Sequence, residues 1–225
     1  MADGWREYHS RLEKSHWLVR AMNHWGFNLK FHQKLIAHLR PGESLLDIGS
    51  GKGYSALYFA ALGHPVTGID PDPESVAESN EWAARLSLPA RFLKEDIFDF
   101  VPAEKYRMSY SMGLIEHYPR EEASRLLAIQ SGLSDLVVAL APTRHSERTI
   151  EPCPVPWTPH SRNTLRRLFE GAGLEILDSF GAGNVWSRWD NLVKDALPHA
   201  ALHFLQNRFS YAMGVAVVGR RPVPK

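Results

Sequence analysis

A glycine-rich segment that joins a short apolar strand to an apolar helix constrains the fold of this chain more than any other feature. The segment runs Leu45-Leu46-Asp47-Ile48-Gly49-Ser50-Gly51-Lys52-Gly53-Tyr54. Glycines at alternate positions allow backbone conformations that other residues rarely adopt. They also let a ligand approach the amide N–H groups and the N-terminus of the following helix. The segment therefore predicts a ligand-binding turn between a strand and a helix.

Strand-like and helix-like segments alternate along most of the chain. The predicted strands are Ser44–Ile48, Val66–Ile69, Arg91–Leu93, Arg107–Ser111, Leu136–Ala141, Glu175–Phe180 and Tyr211–Val218. The predicted helices after the first strand are Tyr54–Leu62, Pro73–Leu86, Glu121–Ser131 and Asn163–Glu170. The unbroken apolar run of the fifth strand is typical of burial on both faces. This alternation predicts an α/β fold with a doubly wound, mostly parallel sheet.

The segments that flank and interrupt this pattern divide the chain into a cap and a core. Residues 1–40, rich in Trp and His, form a predicted N-terminal helical cap segment whose last helix ends at Pro41-Gly42. Residues 41–225 form the core, with insertions at 143–160 and 181–207. The first insertion carries four prolines and is predicted to be a long loop. The second has apolar residues at helical spacing, so we expect it to form a helical cap.

Charge and composition exclude several classes of partner. The chain has 26 Lys plus Arg against 25 Asp plus Glu, a net charge of +1, so neither nucleic acid nor an anionic membrane is an expected partner. A single cysteine, Cys153, forms no intramolecular disulfide. The first residues lack the apolar region of a signal peptide, and the longest apolar runs are far short of the roughly 20 residues of a membrane-spanning helix. We therefore expect a cytoplasmic protein.

Asp70, at the end of the second strand, indicates the type of ligand. A carboxylate at this position suits the two hydroxyls of a ribose, so a nucleoside-containing cofactor is expected. The spacing Gly49-x-Gly51-x-Gly53 departs from the dinucleotide pattern G-x-G-x-x-G, because Tyr54 stands where its third glycine belongs. Asp47 favours a positively charged ligand group and would repel a pyrophosphate. A nicotinamide or flavin dinucleotide is thus the less favoured alternative.

Four segments in order resemble the class I S-adenosylmethionine-dependent methyltransferases, over residues 30–180. Leu45–Tyr54 is similar to the family's first motif, whose loop holds the methionine part of the cofactor. Asp70 is similar to its ribose-binding acid, and Asp96-Ile97 to the pair that contacts the adenine. Ser111–His117, SMGLIEH, is similar to the strand end that borders the transferable methyl group. The resemblance implies a Rossmann-like sheet of seven strands, with S-adenosylmethionine as cofactor and S-adenosylhomocysteine as product.

The resemblance also implies a set of site residues. Those expected to bind the cofactor are Asp47, Gly49, Ser50, Gly51, Gly53, Asp70, Pro71, Asp96, Ile97, Ser111 and Met112. His117 is the candidate general base, because an unperturbed imidazole has a pKa near 6.5, and Glu116 is expected to orient it or to bind the acceptor. Some relatives bind a divalent metal through E-x-x-E-H. Gly113 replaces the first glutamate here, so we expect no metal.

Several of these residues have a second, purely structural interpretation. Asp96 suits a turn cap, His117 suits a hydrogen bond to a backbone carbonyl, and Glu116 suits a local salt bridge. Trp17 and Trp25 either contact the acceptor as part of a lid or only cover the sheet. His145 is a further candidate acceptor contact. A zinc site among His145, Cys153 and His160 lacks the paired close spacing of such sites.

The sequence as a whole predicts an enzyme that methylates an oxygen or nitrogen of a small, aromatic or apolar molecule. We expect this protein to be a monomer or a homodimer. Two alternatives remain open at this point. One is a methyltransferase that modifies RNA or protein, and the other is a regulatory protein that binds the cofactor without catalysis.

Overall fold

A single sheet of seven strands forms the centre of the molecule, as predicted. The computed structural model describes residues 17–146, 155–183, 201, 204 and 212–222. The strand order is β3-β2-β1-β4-β5-β7-β6, and only β7 runs antiparallel to its neighbours. The strands are β1 Leu45–Ile48, β2 Val66–Asp70, β3 Ala90–Lys94, β4 Tyr106–Met112, β5 Ser134–Pro142, β6 Glu175–Ala182 and β7 Gly214–Arg220. The doubly wound, mostly parallel architecture is thus confirmed.

Six α-helices accompany the sheet within the described residues. They are α1 Trp17–Phe27, α2 Leu29–Ile36, α3 Tyr54–Ala61, α4 Pro73–Arg85, α5 Arg120–Leu133 and α6 Arg162–Gly171. Local chemistry explains where α4 starts, since Pro73 occupies its first turn and the Asp72 side chain accepts from the Ser75 amide at 3.0 Å. The last helix of the cap segment ends at Ile36, earlier than the predicted end at Pro41.

The helices cover both faces of the sheet. Buried residues of α1 to α4 pack together with strand side chains that include Leu45 and Tyr110. Apolar residues of α5 and α6 pack on the opposite face, where Val137 and Val217 are fully buried. From Leu136 to Ala141, every residue of β5 is buried, which confirms the expectation of burial on both faces.

The two predicted insertions are only partly described. Residues 143–146 and 155–160 of the first have no helix longer than a single turn and no strand, as expected for a loop. Most of the second insertion, including Trp186, Trp189 and the predicted amphipathic helix, lies outside the described residues, and so does Cys153. None of the helices in the described part of the chain is long and apolar enough to cross a membrane.

Candidate active site

The glycine-rich turn lies at the carboxyl ends of β1 and β2. Gly49, Gly51 and Gly53 all have positive φ angles, of 68°, 49° and 70°. The amides of Gly49 and Ser50 both donate to the Ile69 carbonyl, at 2.9 and 3.0 Å, and so tie the turn to the neighbouring strand. Because L-residues with side chains rarely adopt such angles, each of the three alternate positions favours glycine.

Two glycines are also required by close packing behind the turn. A Cβ atom at Gly53 would lie 2.8 Å from Cζ of Phe92 and 2.9 Å from Oγ of Ser79. A Cβ atom at Gly68, in β2, would overlap the same Phe92 ring. Nothing in the sequence marks Gly68, because its neighbour Phe92 comes from a different strand.

Asp70 holds the turn and points its carboxylate into the site. Its Oδ2 accepts from the Gly51 amide at 2.8 Å, and its Oδ1 accepts from the Asp72 amide at 2.9 Å. Burial raises the pKa of Asp70, and these two amide bonds oppose the shift. Each carboxylate oxygen has a second lone pair, so two ribose hydroxyls fit the same group. Pro71, which is exposed, links Asp70 to Asp72.

Asp47 lies behind the turn in the core. It is 3% exposed and accepts a hydrogen bond from the amide of Ala56 in the first turn of α3. Burial raises its pKa to about 7, and the nearby Tyr110 hydroxyl opposes that shift. The carboxyl therefore supports the N-terminus of α3, where Gly53 offers no capping side chain. Its contact with a cationic ligand group stays a prediction.

Two buried hydroxyls show that the site fits a polar ligand. Ser50 follows β1, and Ser111 lies in β4 beside Ile48. Neither hydroxyl has a hydrogen-bond partner among the residues that the structure describes. Buried polar groups normally find a partner. Together with the turn amides and the Asp70 carboxylate, they form the polar surface that a nucleoside-containing cofactor requires.

Asp96 and Ile97 have different surroundings. Asp96 is exposed and its Oδ1 accepts from the Phe98 amide at 3.0 Å, so the turn-cap interpretation is confirmed. Ile97 is 5% exposed and packs in the core with Leu126. The cap leaves the second carboxylate oxygen available, and contact with an adenine stays a prediction.

Glu116 and His117 form a short 3₁₀ helix, Ile115–His117, just after β4. Glu116 is 5% exposed, and its Oε2 has no partner within the described part of the chain. Burial raises the pKa of Glu116 to about 8, so the carboxyl carries a proton at neutral pH. Burial also lowers the pKa of His117, which keeps its ring neutral. The two side chains are 3.8 Å apart, from Nε2 to Oε1.

The second half of the proline-rich loop packs on this short helix. The Nδ1 atom of His117 donates to the Pro156 carbonyl at 2.8 Å, as its second interpretation predicted. The Thr158 amide donates to the Glu116 carbonyl at 2.9 Å. The loop thus fixes the positions of both candidate catalytic residues.

Comparison with known proteins agrees with this geometry. Residues 45–131, from the start of β1 through most of α5, match the family model described as a methyltransferase domain. This part of the chain is similar to the class I S-adenosylmethionine-dependent methyltransferases, as the four sequence segments predicted. The matched range contains the turn, Asp70, Asp96 and the end of β4, which are the four segments of the predicted resemblance.

Individual relatives match this chain over part of their length. It is 35% identical over 68 residues to the ribosomal protein L11 methyltransferase of Thermus thermophilus, which is 30% of this chain and 27% of that protein. It is 34% identical over 83 residues to the ubiquinone biosynthesis O-methyltransferase of Paramagnetospirillum magneticum, or 36% and 33% of the two chains. The chain thus spans a third or less of these curated relatives.

A solved structure extends the likeness in fold beyond residues 45–131. The magnesium protoporphyrin IX methyltransferase of Synechocystis PCC 6803, with bound S-adenosylmethionine, superposes with a TM-score of 0.65. The alignment covers 98% of this chain and 90% of that one at 18% identity. At this identity the likeness concerns the fold, and it confirms the Rossmann-like sheet of seven strands.

The residues predicted to bind the acceptor lie in several places. Trp17 is 4% exposed and stacks on Trp82, with ring centroids 4.2 Å apart. Trp25 is half-buried and donates from Nε1 to the Tyr54 carbonyl at 2.6 Å. Both thus cover the core beside the turn, as in their second interpretation, and acceptor contact stays a prediction.

His145 follows β5, where its amide donates to Oγ1 of Thr143 at 3.1 Å. Its role toward an acceptor likewise stays a prediction.

Sequence reasoning missed a buried polar cluster beside the turn. The Nε2 atoms of His24 and His32 lie 2.9 and 3.0 Å from Oγ of Ser55, which donates to Sδ of Met112 at 3.0 Å. Burial lowers the pKa of His24 to about 4 and that of His32 to about 3, so both rings are neutral at neutral pH. The cluster connects the cap helices to the end of β4. The histidines alone gave no signal of their common partner.

Within the described part of the chain, no three His, Cys, Asp or Glu side chains are grouped as metal ligands. In particular, the carboxyl of Glu116 faces Gly113 rather than a second carboxylate, with 3.6 Å between its Oε1 and a Cβ placed on that glycine.

Proposed function

We propose that this protein transfers a methyl group to an oxygen or nitrogen of a small-molecule acceptor, most favourably an aromatic or apolar one. The observation that carries this proposal is the position of Glu116 and His117. They follow β4, which pairs with β1, the strand that leads into the glycine-rich turn. An acceptor held by this pair lies next to the methionine end of the cofactor site. S-adenosylmethionine supplies a methyl group that is already activated by its sulfonium.

The protein's main contribution is then alignment of the acceptor and exclusion of water. Holding two reactants in line supplies about 7–11 kcal/mol of the barrier. The 3₁₀ helix and the loop segment around Pro156 are joined by two hydrogen bonds, which makes this wall of the site rigid. Such a wall supports an acceptor whose position must be held within a fraction of an ångström.

His117 and Glu116 are proposed to handle the proton of the acceptor. Nδ1 of His117 carries a proton because the Pro156 carbonyl only accepts. The ring also has a hydrogen bond with the Gly113 backbone, so the proposed base role requires Nε2 to face the acceptor when the acceptor binds. A phenolic acceptor, with a pKa of about 10, gains from such a base. The protonated Glu116 carboxyl then donates a hydrogen bond to a second polar atom of the acceptor. An amine acceptor needs only the positioning.

The names of relatives support the small-molecule class but also suggest a second candidate. The names of the ubiquinone biosynthesis O-methyltransferase and of the magnesium protoporphyrin IX methyltransferase both refer to small molecules. The matches to ribosomal protein L11 methyltransferases favour a protein acceptor instead. The near-zero net charge gives no support to an RNA acceptor.

The proposed function is tested by transfer of a labelled methyl group. The enzyme is incubated with labelled S-adenosylmethionine and, separately, with the metabolite, protein and RNA fractions of a cell extract. We expect label in the metabolite fraction, and none with the Asp70→Ala variant. Label in the protein fraction alone would support the second candidate. Binding of S-adenosylhomocysteine without label in any fraction would support the non-catalytic alternative.

Glu116→Gln is expected to change how methyl transfer depends on pH. A carboxyl with its pKa raised to about 8 donates a proton below that pH and loses this ability above it. Glutamine keeps an N–H donor at every pH. With the acceptor identified above, the wild-type kcat/KM divided by that of the variant is expected to fall about tenfold per pH unit above 8. The exposed Glu121→Gln is the control, and parallel pH profiles for wild type and Glu116→Gln would contradict the role.

A further inference from the structure

Glu78, on α4, connects the glycine-rich turn to the N-terminal helix. Its Oε2 accepts from Nζ of Lys52, and its Oε1 lies 3.6 Å from Nη2 of Arg20 on α1. Lys52 stands between Gly51 and Gly53 and is only 8% exposed. One carboxylate thus pairs with a cation of the turn and with a cation of α1, using a different oxygen for each.

Helix α1 makes three further contacts around the same turn. Trp17 stacks on Trp82 of α4. His24 and Trp25 bond to Ser55 and to the Tyr54 carbonyl, the first two residues of α3. Helix α1 therefore packs on both α3 and α4 beside the turn. The Glu78 carboxylate pairs with Arg20 of α1 and also with Lys52 of the turn.

We propose that Glu78 is a positioning residue for cofactor binding, which couples the docking of α1 to the shape of the glycine-rich turn. The inference rests on the proposed function, because it assumes that the turn holds the methionine part of the cofactor. Neither Glu78 nor Arg20 needs to touch the cofactor. Glu78 acts through Lys52 and the amides on either side of it, and Arg20 links Glu78 to α1.

Charge burial explains why the turn depends on Glu78. Without the carboxylate, the Lys52 ammonium would be left nearly buried and unpaired, and its segment would shift to reach water. Such a shift moves the amides of Gly51 and Gly53. Linkage makes the coupling reciprocal, so a cofactor that fixes the turn must also strengthen the docking of α1.

Ligand binding to Glu78→Gln tests the proposal, with Glu81→Gln as the matched control. Glu81 lies on the same helix but pairs with the exposed Arg85, at 3.3 Å. By calorimetry, we expect Glu78→Gln to raise the Kd for S-adenosylhomocysteine about tenfold. For methylthioadenosine, which lacks the amino-acid part, the change is expected to stay within about twofold, because Asp70 remains in place. Glu81→Gln is expected to match the wild type for both ligands.

Hydrogen exchange gives a readout that a purely structural role would not change. In the wild type, S-adenosylhomocysteine is expected to slow exchange in residues 17–27, and this protection is expected to be lost in Glu78→Gln. If that variant does not fold, Arg20→Met keeps the pair of Lys52 with Glu78. It is expected to bind the ligand within about twofold of wild type while losing the protection of α1.

Two results would overturn the coupling alone: unchanged affinity of Glu78→Gln for S-adenosylhomocysteine, or unchanged exchange in α1 when the wild type binds it. A wild type that binds no S-adenosylhomocysteine would instead overturn the proposed function, and this inference with it.

Discussion

Replacing Asp70 by alanine is expected to raise the Kd for S-adenosylhomocysteine at least about a hundredfold, because each hydrogen bond to a charged group contributes about 1.5–3 kcal/mol. The substitution removes the acceptor for two ribose hydroxyls. It also releases the amides of Gly51 and Asp72, which the two carboxylate oxygens accept at 2.8 and 2.9 Å. Isothermal titration of S-adenosylhomocysteine into the purified variant measures the loss.

The control for this prediction is Glu74→Gln, an exposed acid in the first turn of α4. It is expected to bind like the wild type. Circular dichroism and a melting curve establish that Asp70→Ala is folded before its affinity is interpreted. A folded Asp70→Ala variant with a Kd within about threefold of wild type would exclude the assigned role, since even one lost hydrogen bond to a carboxylate costs more.

Replacing Gly53 by alanine is expected to destabilise the fold by about 2–4 kcal/mol and to abolish cofactor binding, because positive-φ strain and overpacking both apply. The residue has a φ of 70°, and an added Cβ would lie 2.8 Å from the buried Phe92 ring. The Phe92 ring is itself only 3% exposed, so it has little room to move. Urea denaturation, monitored by circular dichroism, measures the free energy of unfolding.

Gly63→Ala separates the two contributions. Gly63 also has a positive φ, of 87°, but nothing lies within 4 Å of a Cβ placed there. This variant is expected to lose only about 1 kcal/mol, from backbone strain, and to keep full cofactor affinity. Equal losses for the two variants would show that packing against Phe92 contributes nothing.

The sheet and its helices were largely predictable from the sequence. The apolar run Leu136–Ala141 of β5 is continuous because parallel strands in the middle of a sheet are covered on both faces. Pro73 and Gly63 mark helix ends through backbone constraints that act locally. The end of α2 was placed too late, because the helix ends at Ile36 and a turn, not a helix, leads to Pro41.

Within the site, the backbone positions were easier to predict than the side-chain roles. The alternation of Gly49, Gly51 and Gly53 indicated a turn with unusual backbone angles, and all three have a positive φ. The surroundings of a side chain depend on distant segments. The structure shows Trp17 stacked on Trp82 and Asp96 capping its own turn, which the sequence offered only as alternatives.

The sequence by itself determined the type of fold, the position of the ligand-binding turn and the acid at the end of β2. These depend on short-range rules, namely apolar periodicity and glycine conformation. Only the tertiary structure decided that Gly68 makes room for Phe92 and that Glu78 joins Lys52 to Arg20. Each of those contacts joins segments far apart in the chain, whose approach is set by packing and charge burial in the folded molecule.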